Sequence, residues 1–331
     1  MGYIFHSEPV KYLAAVNAAG FEDIALQLFN HQYRHNTIYK AFVDAIHVHP
    51  ESVKDVASVP FLPVSFYKSH RVVTGDVADD AALFYSSTTT SDIPARHFVK
   101  DMALYEESLL AGFRQFYGEP ADYAILALLP SYLQRKGASL VHMAQVLMDD
   151  GKHPLNGFYL DEHEKLYAVL QQLEQEGQPT LLLGVTFALL DFAEKHNMKL
   201  QHTTIMETGG MKGRRRELTR AEVHAELKAK LGVGHVHSEY GMTELLSQAY
   251  AVHDGIFRSS VTMKVLVRDI NDPFDIKPSG TGCLNIIDLA NVHSCAFIAT
   301  DDMGRIYDDG SFEVLGRADH SALRGCNLMV V

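Results

Sequence analysis

Residues 179–208 read PTLLLGVTFALLDFAEKHNMKLQHTTIMET. The first seven are an almost unbroken apolar run, too short for a helix and bounded by Pro179. Residues 186–196 carry apolar side chains at three- and four-residue intervals, the period of an amphipathic helix. HTTIMET at 202–208 returns to a short apolar strand. A strand without polar alternation is covered on both faces, as strands of parallel sheets are.

The same rhythm extends in both directions. Upstream, ALFY (82–85) reads as a strand, 100–117 as a helix, DYAILALLP (122–130) as a strand and 138–149 as a helix. Downstream, 219–231 reads as a helix and GHVHSEYG (234–241) as a strand. Alternation of this kind predicts an α/β fold, mostly parallel sheets covered by helices. Residues 8–48 are helical in pattern, and Pro60 and Pro63 then break helix in PFLPVSFYKSHRVVT. Beyond residue 255 short β-like runs with D-G and S-G turns predict a β-rich C-terminal subdomain. No flexible linker separates these parts. The expectation is therefore one unit over 1–331, with a helical N-terminus and α/β core in 1–254 and the β-rich subdomain in 255–331.

Composition narrows the function classes. Of 331 residues, 47% are apolar and 21% charged, which excludes a disordered chain. A net charge of −12 speaks against a nucleic-acid partner. No apolar run reaches bilayer length, so no membrane span is expected. The opening MGYIFHSEPVKY has neither a signal peptide's apolar stretch nor the myristoylation pattern, so a cytoplasmic location is expected. The three cysteines, Cys283, Cys295 and Cys326, lack zinc-ligand spacing. Among 18 histidines, the His47/His49 and His235/His237 pairs have no third ligand placed by sequence, and packing or surface roles account for them.

Three stretches and a loop carry chemistry. Residues 85–97, YSSTTTSDIPARH, set five hydroxyls in a row from Ser86 to Thr90, with a sixth at Ser91. Short hydroxyls and bare backbone N–H groups at a strand end can surround phosphate oxygens. In SEYGMTE (238–244), Tyr240 offers a flat ring for a base, Thr243 a hydroxyl and Glu244 a carboxylate for Mg²⁺. In ATDDMGRIYDDGSFEVLGRADHS (299–321), Asp302 can accept from ribose hydroxyls. In ETGGMK (207–212), Gly209 and Gly210 allow close approach of the backbone to a flat ring.

In this order the stretches resemble the adenylate-forming superfamily of acyl-CoA synthetases, luciferases and related ligases. YGMTE matches its Tyr-Gly-x-Thr-Glu motif residue for residue. TDDMGRIYDDGSFEVLGRAD is similar to its Thr-Gly-Asp…Gly-Arg…Asp-Gly…Gly-Arg-x-Asp segment. The resemblance implies the large-domain fold of that superfamily. It also implies ATP phosphates on Ser86, Ser87, Thr88, Thr89 and Thr90, adenine bordered by Gly209 and Gly210 and stacked on Tyr240, and ribose on Asp302 and Arg317. Thr243 would touch the α-phosphate and Glu244 would bind Mg²⁺. Two departures stand out. Thr88 and Ser91 replace the loop's usual glycines, with Arg96 the nearest basic residue. The chain also stops twelve residues after Asp319, without the lid domain of full-length members.

That ending, with PFLPVSFYKS and TGGMKGRRREL, resembles the LuxE-type acyl-protein synthetases of bacterial bioluminescence. These activate a fatty acid as its acyl-adenylate and take the acyl group onto a cysteine near the C-terminus. The resemblance implies an acid–thiol ligase that turns ATP into AMP and pyrophosphate, with Cys326 in RGCNLMVV as the acyl acceptor. A fatty or other carboxylic acid is the expected substrate, and an acyl carrier protein, coenzyme A or an acyl reductase the expected partner. The alternatives are a ligase sending the acyl group to coenzyme A or a carrier protein, and a non-catalytic nucleotide-binding relative.

Overall fold

A computed structural model describes residue 5 and residues 7–86, 93–130, 137–160, 162–209 and 218–318. Three helices open the chain: α1 (Pro9–Ala19), α2 (Phe21–His35) and α3 (Thr37–Ala45). The Asn36 side chain accepts from Tyr39 N at 2.9 Å, satisfying one of the first-turn donors of α3. A two-residue strand, β1 (Leu62–Pro63), and a short helix, α4 (Phe66–Ser69), follow. Next come strands β2 (Ala82–Tyr85) and β3 (Arg96–Val99), then α5 (Met102–Tyr117), whose N-cap Asp101 accepts from Leu104 N at 3.0 Å.

The predicted alternation then runs through β4 (Ala124–Leu128), α6 (Ser139–Gly151), β5 (Gly157–Tyr159), α7 (His163–Glu176), β6 (Thr180–Val185), α8 (Thr186–Lys195), β7 (Thr203–Thr208), α9 (Arg220–Leu231) and β8 (Val236–Tyr240). Strands β9 (Ala249–Ala251) and β10 (Arg258–Ser259) complete a seven-stranded sheet in the order β10-β9-β8-β7-β6-β4-β5. Its five strands from β5 to β8 are mutually parallel, while β9 and β10 are antiparallel. Every residue of β4 and β6 is buried, the outcome that their continuous apolar runs dictate. Helix α9 starts at a capping box, Thr219 and Glu222 exchanging side-chain and backbone bonds, and ends at Gly232 in the left-handed region.

The C-terminal part is the β-rich unit expected. Strands β11 (Met263–Arg268), β12 (Ile276–Lys277), β13 (Gly280–Asp288), β14 (Phe297–Ile306) and β15 (Phe312–Arg317) pair antiparallel. Strand β14 is long enough to pair with β15 at its far end and with β1, in parallel, at its near end.

Three details differ from the sequence expectations. ALFY is not a strand of the parallel sheet: β2 pairs antiparallel with β3 in a separate two-stranded sheet, Leu83 opposite Phe98 and Phe84 opposite His97. The hydroxyl-rich stretch therefore joins two hairpin strands. Strand β5 and helix α7, unassigned by pattern, fill the gap between α6 and β6. The N-terminal helices share a core mainly with the C-terminal sheet, which only Tyr240, Ala249 and Ala251 of the seven-stranded sheet join. Ile24, Leu28, Phe29 and Tyr39 pack with Phe297, Ile298 and Ile286 of the C-terminal sheet. The second core forms between the parallel sheet and its helices, with Leu126, Leu182, Leu189 and Leu227 inside it.

Candidate active site

The C-terminal ends of β7 and β8 lie side by side because Thr208 is the register partner of Glu239. Gly209 and Tyr240 follow at the same level. Gly209 has φ +77° and open space where a Cβ would stand, and its carbonyl accepts from Thr186 Oγ1 at 2.5 Å. Its bare, exposed backbone leaves room for a flat ligand to approach.

Tyr240 is 8% exposed. Its ring packs edge-on against Phe257 and Phe312, and its hydroxyl donates to Asp302 Oδ2 at 2.8 Å. Asp302 on β14 is the register partner of Arg317 on β15, whose Nε stands 3.4 Å from Asp302 Oδ1. The Arg317 side chain is 78% exposed, so this ion pair contributes little to stability. Its guanidinium remains available to a ligand.

Glu244 stands in the turn after β8, 5% exposed. Burial pushes its carboxyl up to about 7, its own backbone N–H, Arg317 and Lys68 pull it down, and Asp302 pushes it up again. Among the described residues no other group donates a hydrogen bond to it. A buried carboxylate so lightly compensated fits a hard divalent cation such as Mg²⁺, which binds through oxygen and would supply the missing positive charge. Among the described residues no group of three or more His, Cys, Asp or Glu side chains is gathered for a metal, so Glu244 would share the ion with substrate oxygens.

Behind these residues lies a second pair of buried acids. Glu239 accepts from Thr208 Oγ1 at 2.5 Å, and burial, with nearby Glu207, raises its carboxyl to about 7. Glu207 accepts from Thr186 Oγ1 at 3.0 Å and meets Arg220 Nε at 3.1 Å and His224 Nε2 at 3.7 Å. Burial alone would raise Glu207, but His224 and Arg220 outweigh it and lower its pKa. Arg220 also donates to Val314 O on β15 at 3.0 Å and lies 5.0 Å over the Phe257 ring. One guanidinium thus links the parallel sheet to the C-terminal sheet beside the candidate site.

The structure brings together Tyr240, Thr243, Glu244, Asp302 and Arg317, from two sheets. Ser86 closes the loop between β2 and β3: its Oγ accepts from Ala95 N at 2.9 Å and its N–H donates to Ala95 O at 3.1 Å. Among the described residues no group accepts its hydroxyl proton. Ser87, Thr88, Thr89, Thr90, Gly210 and Cys326 lie outside the described residues. Sequence reasoning missed Lys68 on α4, whose charge acts on Glu244. It also missed His97, Asp288 and Asn291, which hold the turn carrying Thr243 and Glu244. Single residues of common types, far apart in the chain, gave no pattern to find.

Comparison with known proteins bears on the fold. The family described as acyl-protein synthetase, LuxE, matches residues 2–109. No curated protein sequence matches. Among solved structures, 2-hydroxyisobutyryl-CoA ligase in the postadenylation state with 2-HIB-AMP is similar over 93% of this chain and 68% of its own, at TM-score 0.66 and 14% identity. ATP-bound MatB from Rhodopseudomonas palustris matches over 73% of this chain and 49% of its own, at TM-score 0.53 and 18% identity. A long-chain-fatty-acid-CoA ligase, FadD1, from Archaeoglobus fulgidus matches over 74% and 53%, at TM-score 0.52 and 15% identity. The chain thus spans about half the length of MatB and of FadD1. Among the described residues no helix is long and apolar enough to cross a membrane. The chain therefore resembles the LuxE acyl-protein synthetases, matching their family over residues 2–109, and has the fold of the adenylate-forming ligases.

Proposed function

We propose that this protein activates a carboxylic acid, a fatty acid in the favoured reading, with ATP and passes the acyl group to a thiol. The observation that carries the reading is the convergence of Tyr240 at the end of β8, Glu244 in the turn after it, Asp302 within β14 and Arg317 at the end of β15. Asp302 and Arg317 present an acceptor and a donor suited to a ribose, and the Tyr240 ring stands beside Asp302. Thr243 and Glu244 share one turn, and in this reading the hydroxyl would meet the α-phosphate while the carboxylate meets the metal beside it. Glu244 would hold Mg²⁺, which offsets charge on the phosphates when bound.

The acid's carboxylate attacks the α-phosphorus in line, and pyrophosphate leaves with the bond pair. The chain's part in this step is positioning and electrostatic stabilisation, since phosphoryl and nucleotidyl transfers ask little covalent chemistry of the protein. The resulting mixed anhydride is open to a thiolate, which displaces AMP and keeps the acyl group as a thioester. Cys326 is the proposed acceptor, on the LuxE resemblance. Of the other cysteines, Cys295 is wholly buried and its thiol is pushed up to about 12, which leaves it inert at neutral pH.

The test has two arms. Acid-dependent ATP–pyrophosphate exchange, screened over fatty and aromatic acids, reads activation. A hydroxylamine-sensitive acyl label on the denatured protein reads transfer, and it should vanish in Cys326→Ser while exchange survives. No exchange with any acid refutes activation. Exchange without a protein-bound label moves the acceptor to coenzyme A or a carrier protein.

A further inference from the structure

The turn that carries Thr243 and Glu244 is held by three side chains from outside it. His97 Nδ1 lies 2.8 Å from the Thr243 carbonyl. A carbonyl can only accept, so Nδ1 carries the proton. Asn291 Nδ2 donates to the Glu244 carbonyl at 2.7 Å. Asp288 Oδ2 accepts from Leu246 N at 2.7 Å and Ser247 N at 3.1 Å, and Asp288 Oδ1 accepts from Ser247 Oγ at 2.5 Å. All three side chains are fully buried.

These anchors come from different elements. His97 belongs to β3, the hairpin strand that follows the hydroxyl-rich loop. Asp288 ends β13, and Asn291 lies in the connection to β14. They are themselves tied together: Asp288 accepts from Ala290 N at 3.0 Å and from Asn291 Nδ2 at 3.4 Å. Tyr67 stands edge-on to the His97 ring, 5.6 Å between centroids, and fixes its plane. Four backbone groups of the turn, the carbonyls of Thr243 and Glu244 and the N–H groups of Leu246 and Ser247, thus end on buried side chains.

We propose that His97, Asp288 and Asn291 are positioning residues, forming one buried cradle that fixes the turn carrying Thr243 so that Glu244 faces Asp302 and Arg317. None of the three touches the proposed substrates. The inference rests on the function proposed above for its catalytic consequence, but its structural content stands apart. Burial lowers the His97 pKa to about 4, so the ring is neutral near pH 7 and its single N–H is the one given to the Thr243 carbonyl. A buried carbonyl left without its donor costs about 1–3 kcal/mol, so a turn losing one anchor relaxes rather than keeping its geometry.

The experiment compares His97→Ala, His97→Asn and Asn291→Ala with wild type. Asparagine places an amide donor near the position of Nδ1, so His97→Asn is the conservative rescue. Amide hydrogen exchange at Leu246 and Ser247 reads the turn without any ligand. The KM for MgATP and the kcat of acid-dependent pyrophosphate exchange read its consequence. His97→Ala and Asn291→Ala should speed amide exchange at both positions about tenfold or more, and raise KM or lower kcat by a similar factor. His97→Asn should restore most of both. Unchanged amide protection in the alanine variants overturns the cradle. Loosened amides with unchanged KM and kcat overturn the positioning role. Should His97→Ala prove too unstable, Asn291→Ala and Ser247→Ala carry the same two readouts. If wild type shows no pyrophosphate exchange, the proposed function falls while amide protection still decides the cradle.

Discussion

The hydroxyl of Tyr240 donates to the carboxylate of Asp302 across 2.8 Å, joining residues 62 positions apart at the meeting of two sheets. The bond holds one Asp302 oxygen and leaves the other beside the exposed Arg317 guanidinium. Asp302→Ala removes the acceptor proposed for ribose and should weaken ATP binding about 10- to 100-fold. Tyr240→Phe removes only the link and should cost stability, about 1 kcal/mol, more than affinity. Titration calorimetry with ATP checks both, and an unchanged Kd in Asp302→Ala would remove Asp302 from the nucleotide site.

Glu244 titrates at about 7 in the folded chain against an ordinary value of 4.5, because burial disfavours its charged form. A raised carboxyl makes the folded state bind more protons, so its contribution to stability falls as pH rises from about 4.5 through 7. Above that window the buried charge costs on the order of 3 kcal/mol. Glu244→Gln should therefore be more stable than wild type at pH 8 and equal to it near pH 4, while losing acid-dependent pyrophosphate exchange. Denaturant titrations at the two pH values measure the first effect. Mg²⁺ should protect wild type, less so below pH 7 where protons compete, and Glu244→Gln hardly at all.

Gly241 is required by a neighbouring side chain. A Cβ there would stand 2.5 Å from Glu239 Oε1. Glu239 is buried and its Oε2 is tied to Thr208, so moving its carboxylate away strains that bond. Gly241→Ala should cost about 1–3 kcal/mol and lower Tm by several degrees. The double variant Gly241→Ala with Glu239→Ala should recover part of that loss. An unshifted Tm in the single variant would mean that the turn accommodates a methyl group freely.

Arg220 is the one described cation within salt-bridge distance of the buried Glu207 other than His224, and it also caps Val314 O. Arg220→Ala leaves Glu207 undercompensated and breaks the link between the sheets. The expected loss is about 2 kcal/mol, below that of a fully buried pair because the arginine is partly exposed. The lowered Glu207 pKa gives a sign: its stabilising effect is present at neutral pH and fades as pH falls through its folded pKa. The gap between wild type and Arg220→Ala should therefore narrow on acidification, which denaturant unfolding at pH 7 and pH 4 can read.

By itself the sequence determined the parallel core. The runs AILAL and TLLLGV have no polar face, so both could only be buried on two sides, and they became β4 and β6. YGMTE and the segment from TDDMGR to LGRAD likewise nominated Tyr240, Glu244, Asp302 and Arg317, through their resemblance to the motifs of the adenylate-forming superfamily. Tertiary structure decided the partners. The run ALFY has the same character as the core strands, yet it pairs with RHFV in a hairpin, since apolar pattern encodes burial of a face and not the identity of the neighbour. The N-terminal helices likewise show only an apolar stripe, and folding placed that stripe on β14 more than 200 residues later. His97, Asp288 and Asn291 are a lone histidine, a strand-end acid and a turn asparagine. What makes them a unit is the convergence of hydrogen bonds across 146 positions on the His97 side and 41 to 47 on the other, and only the packed chain supplies it.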